Sequence, residues 1–200
     1  METVFDSLNP HKRFLSGSER FVFDGQDIGH SLLDYWSWSF SDIYNNIYRG
    51  ILAEYIVATA LKLTPPDGDF VRVVWSPYDL QSRSGRRVEV KSAAYLQSWD
   101  GDPSKISFDI RPSRLWSDGV RQLGSSSQRN NDVYVFCLFK AMSRDVSILD
   151  LDWWDFLVLP TRILNEKKPN QKTITLHSLE ALSPTVCRFG DLCGIVEASS

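Results

Sequence analysis

Asp79, Glu89 and Lys91 have the residue types and spacing of a site for a divalent cation. A three-residue loop, Arg83-Ser84-Gly85, would join two antiparallel strands, with Gly85 in the left-handed conformation that such loops commonly need. Counting outward from this loop places Asp79 directly opposite Glu89, and strand alternation places Lys91 on the same face as Glu89. Two facing carboxylates repel each other, whereas a divalent cation between them would convert this repulsion into ligation.

The prediction depends on the length of the loop. A two-residue loop would place Asp79 opposite Val90 and send Glu89 to the other face of the sheet. The Glu-x-Lys spacing is weak evidence on its own, because Glu166-Lys167-Lys168 repeats it in a polar, proline-containing segment that is typical of a solvated turn. The opposed Asp79 and the glycine in the loop make the first copy informative.

A fourth acid lies on the element that precedes this hairpin. Residues 43–62 are predicted to form a long helix that begins after Ser41-Asp42 and ends before Pro65. Glu54 lies on the apolar stripe of this helix, where an ionised carboxylate is costly unless a cation or hydrogen-bond donors meet it. A structural salt bridge to a buried arginine would satisfy Glu54, and so would a site shared with Asp79.

The rest of the pattern predicts a mixed α/β domain. The apolar run 133–139 is typical of a strand that is buried on both faces. Trp36, Trp38 and Phe40 alternate with serines, which predicts a short extended segment whose rings pack on the core. The other expected elements are strands at 70–75, 77–81, 86–96, 106–110, 153–159 and 173–176, helices within 112–123 and 189–196, and a flexible loop at 124–131.

Composition limits the classes of function. The chain has 22 basic and 25 acidic residues, a net charge of −3, and this excludes a generally cationic nucleic-acid coat. Local basic clusters remain at the hairpin tip and within 111–129, and these could neutralise phosphates. Three cysteines without metal-ligand spacing, no secretory signal and no apolar run of about 18 residues predict a soluble cytoplasmic chain.

Together these residues resemble the PD-(D/E)XK nuclease superfamily, which has a restriction-endonuclease-like fold with an α-β-β-β-α-β core. The resemblance rests on Asp79, the Glu89-Val90-Lys91 segment and the helix that bears Glu54, with further likeness at 49–55 and 91–99. Pro77-Tyr78-Asp79 departs from a strict Pro-Asp pair. The core would span about 43–139 of a single domain over 1–200, with 1–42 and 140–200 as additions.

The resemblance implies a Mg²⁺-dependent DNA endonuclease that also accepts Mn²⁺. Asp79, Glu89 and the Val90 backbone carbonyl would bind the metal, and Lys91 would hold or activate the attacking water. Glu54 would bind a second cation or orient a water. Gln97, Arg49 and Arg87 are candidate contacts to DNA, although Gln97 is read equally well as an exposed residue at a strand end.

Other readings stay open at this point. A non-catalytic interaction module could retain the fold, and an unrelated α+β binding protein could use Asp79 and Glu89 to bind arginines. The sequence does not distinguish DNA from RNA, nor restriction from repair or phage defence. One active site cuts one strand, so cleavage of both strands would favour a homodimer.

Overall fold

The computed structural model describes residues 14–74, 76–99, 102–116 and 123–199. In chain order, the helices and strands are β1 (Arg20–Phe23), β2 (Gln26–Ser31), α1 (Leu32–Phe40), α2 (Asn46–Ala60), β3 (Leu80–Gln81), β4 (Arg87–Ala94), β5 (Ser107–Asp109), β6 (Ser113–Trp116), β7 (Leu123–Gln128), β8 (Val133–Phe139), β9 (Trp154–Pro160), α3 (Thr161–Lys167), β10 (Thr173–Thr175), α4 (Leu176–Glu180), β11 (Thr185–Cys187) and α5 (Leu192–Ala198). Short 3₁₀ turns precede β9 and α5.

A five-stranded mixed sheet lies at the centre of the fold, in the order β11-β9-β8-β4-β3. Strands β4 and β8 are parallel, and the other neighbouring pairs are antiparallel. β8 is buried along its whole length, as the apolar run predicted, because it is the middle strand. The expected mixed α/β class, with helices flanking a mixed central sheet, is therefore confirmed.

The two faces of this sheet have separate hydrophobic cores. On one face, α2 and α5 pack against Val88 and Val90 of β4. On the other face, β5, α3 and β10 pack against Tyr134 and Phe136 of β8. Because side chains alternate along a strand, Glu89 and Lys91 lie on the face opposite α2.

Helix α2 is shorter than the sequence predicted. It begins at Asn46 and ends at Ala60. The expected cap at Ser41-Asp42 is wrong, because the side chain of Asn45 accepts the N–H of Ile47 at 3.0 Å and closes the first turn there. The apolar periodicity before Asn45 did not reveal where the helix starts.

Two other predictions are wrong in the segment between β4 and β8. The helix expected within 112–123 is a strand at Ser113–Trp116, and the flexible loop expected at 124–131 contributes β7, which pairs with it. Residues 117–122 lie outside the described residues. Backbone hydrogen bonds alone can hold a Gly/Ser-rich strand in a hairpin, so its polar composition did not predict it.

The strand expected at 70–75 is also wrong, since residues 70–74 have no regular structure. The remaining strands and the closing helix are present with shifted ends. The short half-buried segment expected at 36–40, with its rings on the core, is instead the end of α1, where Trp38 is 85% exposed. The side chain of Ser31 accepts the N–H of Asp34, while the carboxylate of Asp34 accepts the N–H of Ser31. This capping box starts a helix and overrides the alternating pattern.

Candidate active site

The β3–β4 hairpin has the register that the three-residue loop predicted. Leu80 pairs with Val88 and Gln81 pairs with Arg87. The N–H of Ser82 donates to the carbonyl of Arg86 at 2.8 Å, and Gly85 has a φ of +88°. A left-handed glycine at the end of this loop is what sets the register.

Asp79 immediately precedes β3, and continuing the β3–β4 register by one residue places it opposite Glu89. Its N–H donates to the carbonyl of Val88 at 3.1 Å, and its Oδ2 accepts the N–H of Val90 at 2.7 Å. The N–H and C=O of a strand residue point to the same side of the strand. The Val90 carbonyl therefore faces the edge where the Asp79 carboxylate lies.

Glu89 and Lys91 form an ion pair on this edge of β4. Lys91 Nζ lies 2.5 Å from Glu89 Oε1, and the two side chains are 27% and 20% exposed, respectively. Burial by itself would lower the pKa of Lys91, but the carboxylates of Glu89 and Asp79 outweigh it and the net shift is upward. Lys91 is therefore held as a cation next to both acids.

The Asp79 carboxyl has an unfavourable environment for an anion. Burial, followed by the negative charges of Glu89 and Glu54, raises its pKa to about 7, although Lys91 and the Val90 N–H oppose this rise. The predicted repulsion between facing acids is thus present at this site. A carboxylate in such surroundings gains strongly from a nearby cation.

Glu54 reaches this site from α2, which packs on the other face of the sheet. Its side chain is 14% exposed and forms a bidentate ion pair with Arg72, including Arg72 Nη2 to Glu54 Oε1 at 2.8 Å. The hydrogen bond to Glu54 raises the pKa of Arg72, and the charge of Asp79 adds to this rise. Glu54 is therefore close enough to Asp79 for its charge to raise the pKa of Asp79, and it forms a salt bridge with Arg72.

Arg72 is the charged residue at this site that sequence reasoning missed. It lies in residues 70–74, which were predicted to be a strand, and it has no periodic relation to Glu54 or Asp79. The only available signal was the general need of a buried acid for a partner, and this need does not identify the partner.

Two of the predicted DNA contacts bind each other. Arg49 Nη1 donates to Gln97 Oε1 at 3.3 Å, and Gln97 Nε2 donates to the carbonyl of Ala94 and to Ser104 Oγ. Arg49 is only 4% exposed, and burial lowers the pKa of its guanidinium. The Arg49 guanidinium also donates to neutral oxygens of Tyr44 and Asn46.

The third predicted contact, Arg87, lies at the start of β4 and is ion-paired with Asp132, which precedes β8. Arg87 Nη2 lies 2.5 Å from Asp132 Oδ1, and the two side chains are 45% and 34% exposed. Elsewhere in the basic stretch 111–129, Arg129 is buried and donates to the carbonyls of Ile110, Lys168 and Gln171. Arg129 therefore joins loops of the fold and is not a surface cation.

The second Glu-x-Lys segment is solvated, as expected, although it ends helix α3 and is not a turn. Glu166 is 64% exposed and pairs with Lys167 at 2.6 Å. The hydrogen bond from Lys167 lowers the pKa of Glu166. No opposed carboxylate is involved in this pair.

The donors at the β4 edge match the ligand chemistry of Mg²⁺. Among the described residues, no three His, Cys, Asp or Glu side chains are grouped closely enough to form a metal cage by themselves. Mg²⁺ usually keeps several waters and is bound through one or two carboxylates. Asp79, Glu89 and the Val90 carbonyl supply two carboxylates and one further oxygen, so the residues fit the ion.

Comparisons with known proteins agree with a nuclease. The family model described as bacteriophage T4 endonuclease IV matches residues 27–178, which is 152 of the 200 residues. The match covers α2, the β3–β4 hairpin and β8, and so includes every residue of the site described above. A comparison with curated proteins found no match. Within the described ranges, no helix combines the length and apolarity required to cross a bilayer.

Proposed function

Because the chain belongs to the bacteriophage T4 endonuclease IV family, we propose that it is a Mg²⁺-dependent DNA endonuclease with a PD-(D/E)XK-type active site. One observation supports this assignment above all others. Asp79, Glu89 and Lys91 meet at an open sheet edge, where burial and neighbouring acids raise the pKa of Asp79 to about 7. A cation would relieve this repulsion.

In this proposal, Asp79, Glu89 and the Val90 carbonyl hold the metal, and Mn²⁺ substitutes for Mg²⁺. The ion, when bound, polarises a phosphate oxygen and increases the acidity of water. The Val90 N–H keeps the Asp79 carboxylate against β4, because it donates to Oδ2 at 2.7 Å. The rigid β4 strand thereby sets the distance between the two acids.

Lys91 acts on the reacting atoms. It is charged and lies beside Glu89, so its ammonium can donate to an attacking water and stabilise the negative charge that develops on the phosphate oxygens. Glu89 restrains Lys91 in this position. Loss of Lys91 would remove this charge but leave both carboxylates in place.

Glu54 and Arg72 form the outer part of the site. Arg72 holds the Glu54 carboxylate while Glu54 adds negative charge near Asp79. When Arg72 turns toward a DNA phosphate, Glu54 becomes free to bind a second cation or orient a water. In this proposal, Glu54 takes part in the site after its ion pair with Arg72 breaks.

DNA is the proposed substrate, with RNA as the alternative polymer. Arg87 is partly exposed and can exchange Asp132 for a phosphate. Arg49 is buried and hydrogen-bonded to Gln97, so in this proposal it favours phosphate through its charge. The proposal includes a cytoplasmic location and a role in restriction, repair or phage defence.

A second candidate is a non-catalytic interaction module that keeps the nuclease fold. The two ion pairs favour it, because Lys91 with Glu89 and Arg72 with Glu54 balance most of the acidic charge without a metal. The two candidates differ in metal binding and in turnover, and both properties can be measured.

The test is cleavage of supercoiled plasmid with Mg²⁺ or Mn²⁺ and with EDTA, together with metal titration by calorimetry. Wild type should cut only with metal, whereas Asp79→Asn and Glu89→Gln should be inactive and Glu89→Gln should bind Mg²⁺ weakly. Glu166→Gln is the matched control, because Glu166 occupies the solvated Glu-x-Lys copy, and it should cut like wild type. Full Mg²⁺-dependent activity in Asp79→Asn would falsify the assignment. A wild type that does not cut DNA either with or without metal would favour the interaction module.

A further inference from the structure

Residues 20–40, which we name the arm, comprise β1, β2 and α1 and leave their apolar side chains exposed. None of the residues in the arm is buried. Eight large apolar side chains are exposed: Phe21 (43%), Val22 (61%), Phe23 (78%), Ile28 (53%), Leu33 (58%), Tyr35 (45%), Trp38 (85%) and Phe40 (39%). Isolated apolar residues are normal on a protein surface, but a group of this size in one short segment is not.

The arm has little to stabilise it within one copy of the chain. β1 and β2 form a separate two-stranded sheet, and α1 has nine residues with none buried. Two-stranded sheets and helices of this length are marginally stable in water without packing partners. The arm contacts the body where Trp36 borders a cavity with Tyr55 and where the Phe40 ring packs edge-on against Tyr48.

One face of the β1–β2 hairpin carries the ion pair of the arm, and the other carries two exposed apolar side chains. Arg20 and Asp27 form an ion pair at 2.8 Å on one face of the hairpin, where Val22 pairs with Asp27. Because strand residues alternate, Phe23 and Ile28 lie on the opposite face, with Phe23 paired to Gln26. The most exposed ring, Trp38, belongs to the adjoining helix.

The charge of this region argues against nucleic acid as the occupant. Residues 19–42 contain five acids and one arginine, a net charge of −4. Phosphate backbones and anionic membranes would be repelled by such a segment. The occupant is therefore expected to be protein, bound through apolar contact.

The exposed apolar area of the arm is about as large as the area that one partner buries in a standard protein interface. With roughly 200 Å² for each fully exposed aromatic ring, the five aromatic side chains leave roughly 600 Å² uncovered, and Ile28 and Leu33, which lie apart from the Arg20–Asp27 pair, add roughly 200 Å². The sum is close to the ~800 Å² that each partner buries in a standard interface. It exceeds the patch that a typical monomer exposes, about 300–600 Å².

We propose that the arm is a homodimer interface, in which two copies related by a two-fold axis pack arm against arm. An apolar surface is complementary to itself, as an isologous interface requires. Residues 1–13 lie outside the described residues, and their sequence supplies only Met1, Val4, Phe5 and Leu8 as large apolar side chains, too few to cover eight. Dimerisation places two sites in one particle and does not depend on the proposed chemistry.

The test is analytical ultracentrifugation of the full chain between about 1 and 100 µM, a range that covers dimer dissociation constants in the micromolar range and below. Wild type should sediment as a dimer, and Phe23→Ser and Trp38→Ser should each raise the dissociation constant at least about tenfold. The double variant should be monomeric. Val186→Ser is the control, because Val186 is 59% exposed on β11, outside the arm.

Two further measurements identify the interface and its nature. Amide hydrogen exchange should slow in residues 20–40 as protein concentration rises, and added NaCl should tighten the dimer because it screens the −4 net charge of residues 19–42 in each copy. Asp79→Asn should dimerise like wild type, which separates this inference from the nuclease assignment. A monomeric wild type at about 100 µM, equal dimerisation of the arm variants, or dissociation of Val186→Ser would each overturn the proposal.

Discussion

The Glu-x-Lys spacing occurs twice in this chain, on β4 as Glu89-Val90-Lys91 and at the end of α3 as Glu166-Lys167-Lys168. On β4, the acid and the lysine are 20% and 27% exposed and face a third charged group, Asp79. At the end of α3, Glu166 is 64% exposed and pairs with its neighbour Lys167. The same residue types thus form two electrostatically different sites.

The difference between the two copies comes from burial and from the charges opposite them. Water screens the exposed pair on α3, so its members affect each other weakly. On β4, burial and the charges of Glu89 and Glu54 raise the pKa of Asp79 to about 7. The Glu-x-Lys spacing therefore does not by itself define the electrostatics of a site, because the acid opposite the β4 copy changes them.

The largest difference should appear when the lysine of each copy is removed. Lys91→Ala should lower the rate of DNA cleavage at least about 10³-fold, or about 4 kcal/mol in the barrier, because the substitution removes the cation that pairs with Glu89. Lys168→Ala should cleave like wild type. Single-turnover rates with saturating Mg²⁺ measure both, and an Lys91→Ala enzyme within threefold of wild type would remove the distinction between the copies.

The next effect is on stability, through Asp79. Its pKa rises from 3.8 to about 7 on folding, so the folded protein binds a proton that the unfolded chain has lost between these values. Metal-free wild type should therefore lose stability as pH rises from about 4 to about 7. Asp79→Asn should be more stable than wild type by about 1–3 kcal/mol above pH 7, with no gain near pH 4.

Asp132→Asn is the control of opposite sign. Its hydrogen bond with Arg87 lowers the pKa of Asp132, so the pair contributes stability at neutral pH that is lost as pH falls through the folded-state pKa. Asp132→Asn should therefore be less stable than wild type at pH 7. Urea unfolding at several pH values measures both variants, and parallel pH profiles for the two would contradict the burial argument for Asp79.

A smaller effect is expected from the metal. Mg²⁺ at about ten times its dissociation constant should stabilise wild type by about 1.4 kcal/mol, which thermal unfolding detects. The gain should shrink below pH 7, because Mg²⁺ must then displace the Asp79 proton. Glu89→Gln should lose this gain and Glu166→Gln should keep it. Equal stabilisation of both variants would place the ion elsewhere.

The smallest expected effect is that of Glu166→Gln without metal. The Glu166–Lys167 pair is exposed, so its loss should leave the unfolding temperature unchanged within error. A clear loss of stability would mean that the second copy is also a structured site.

Local sequence accounts for much of the candidate site. The loop at 83–85 predicted the pairing of Leu80 with Val88, because a three-residue turn with a left-handed glycine constrains the few residues on each side of it. The apolar run predicted the buried strand β8 for a similar reason, since a continuous run has no solvent face. By contrast, the pattern at 36–40 misled, because the capping box at Ser31 took precedence.

The sequence by itself therefore determined the β3–β4 register, the alternation along β4 and the placement of Glu54 on a helix, because these depend on neighbouring residues. Only the tertiary structure decided that Arg72 pairs with Glu54, that Arg87 pairs with Asp132 and that Arg129 is buried. These contacts join segments distant in the chain, and a charge binds whichever opposite charge the packing of the whole domain brings near it.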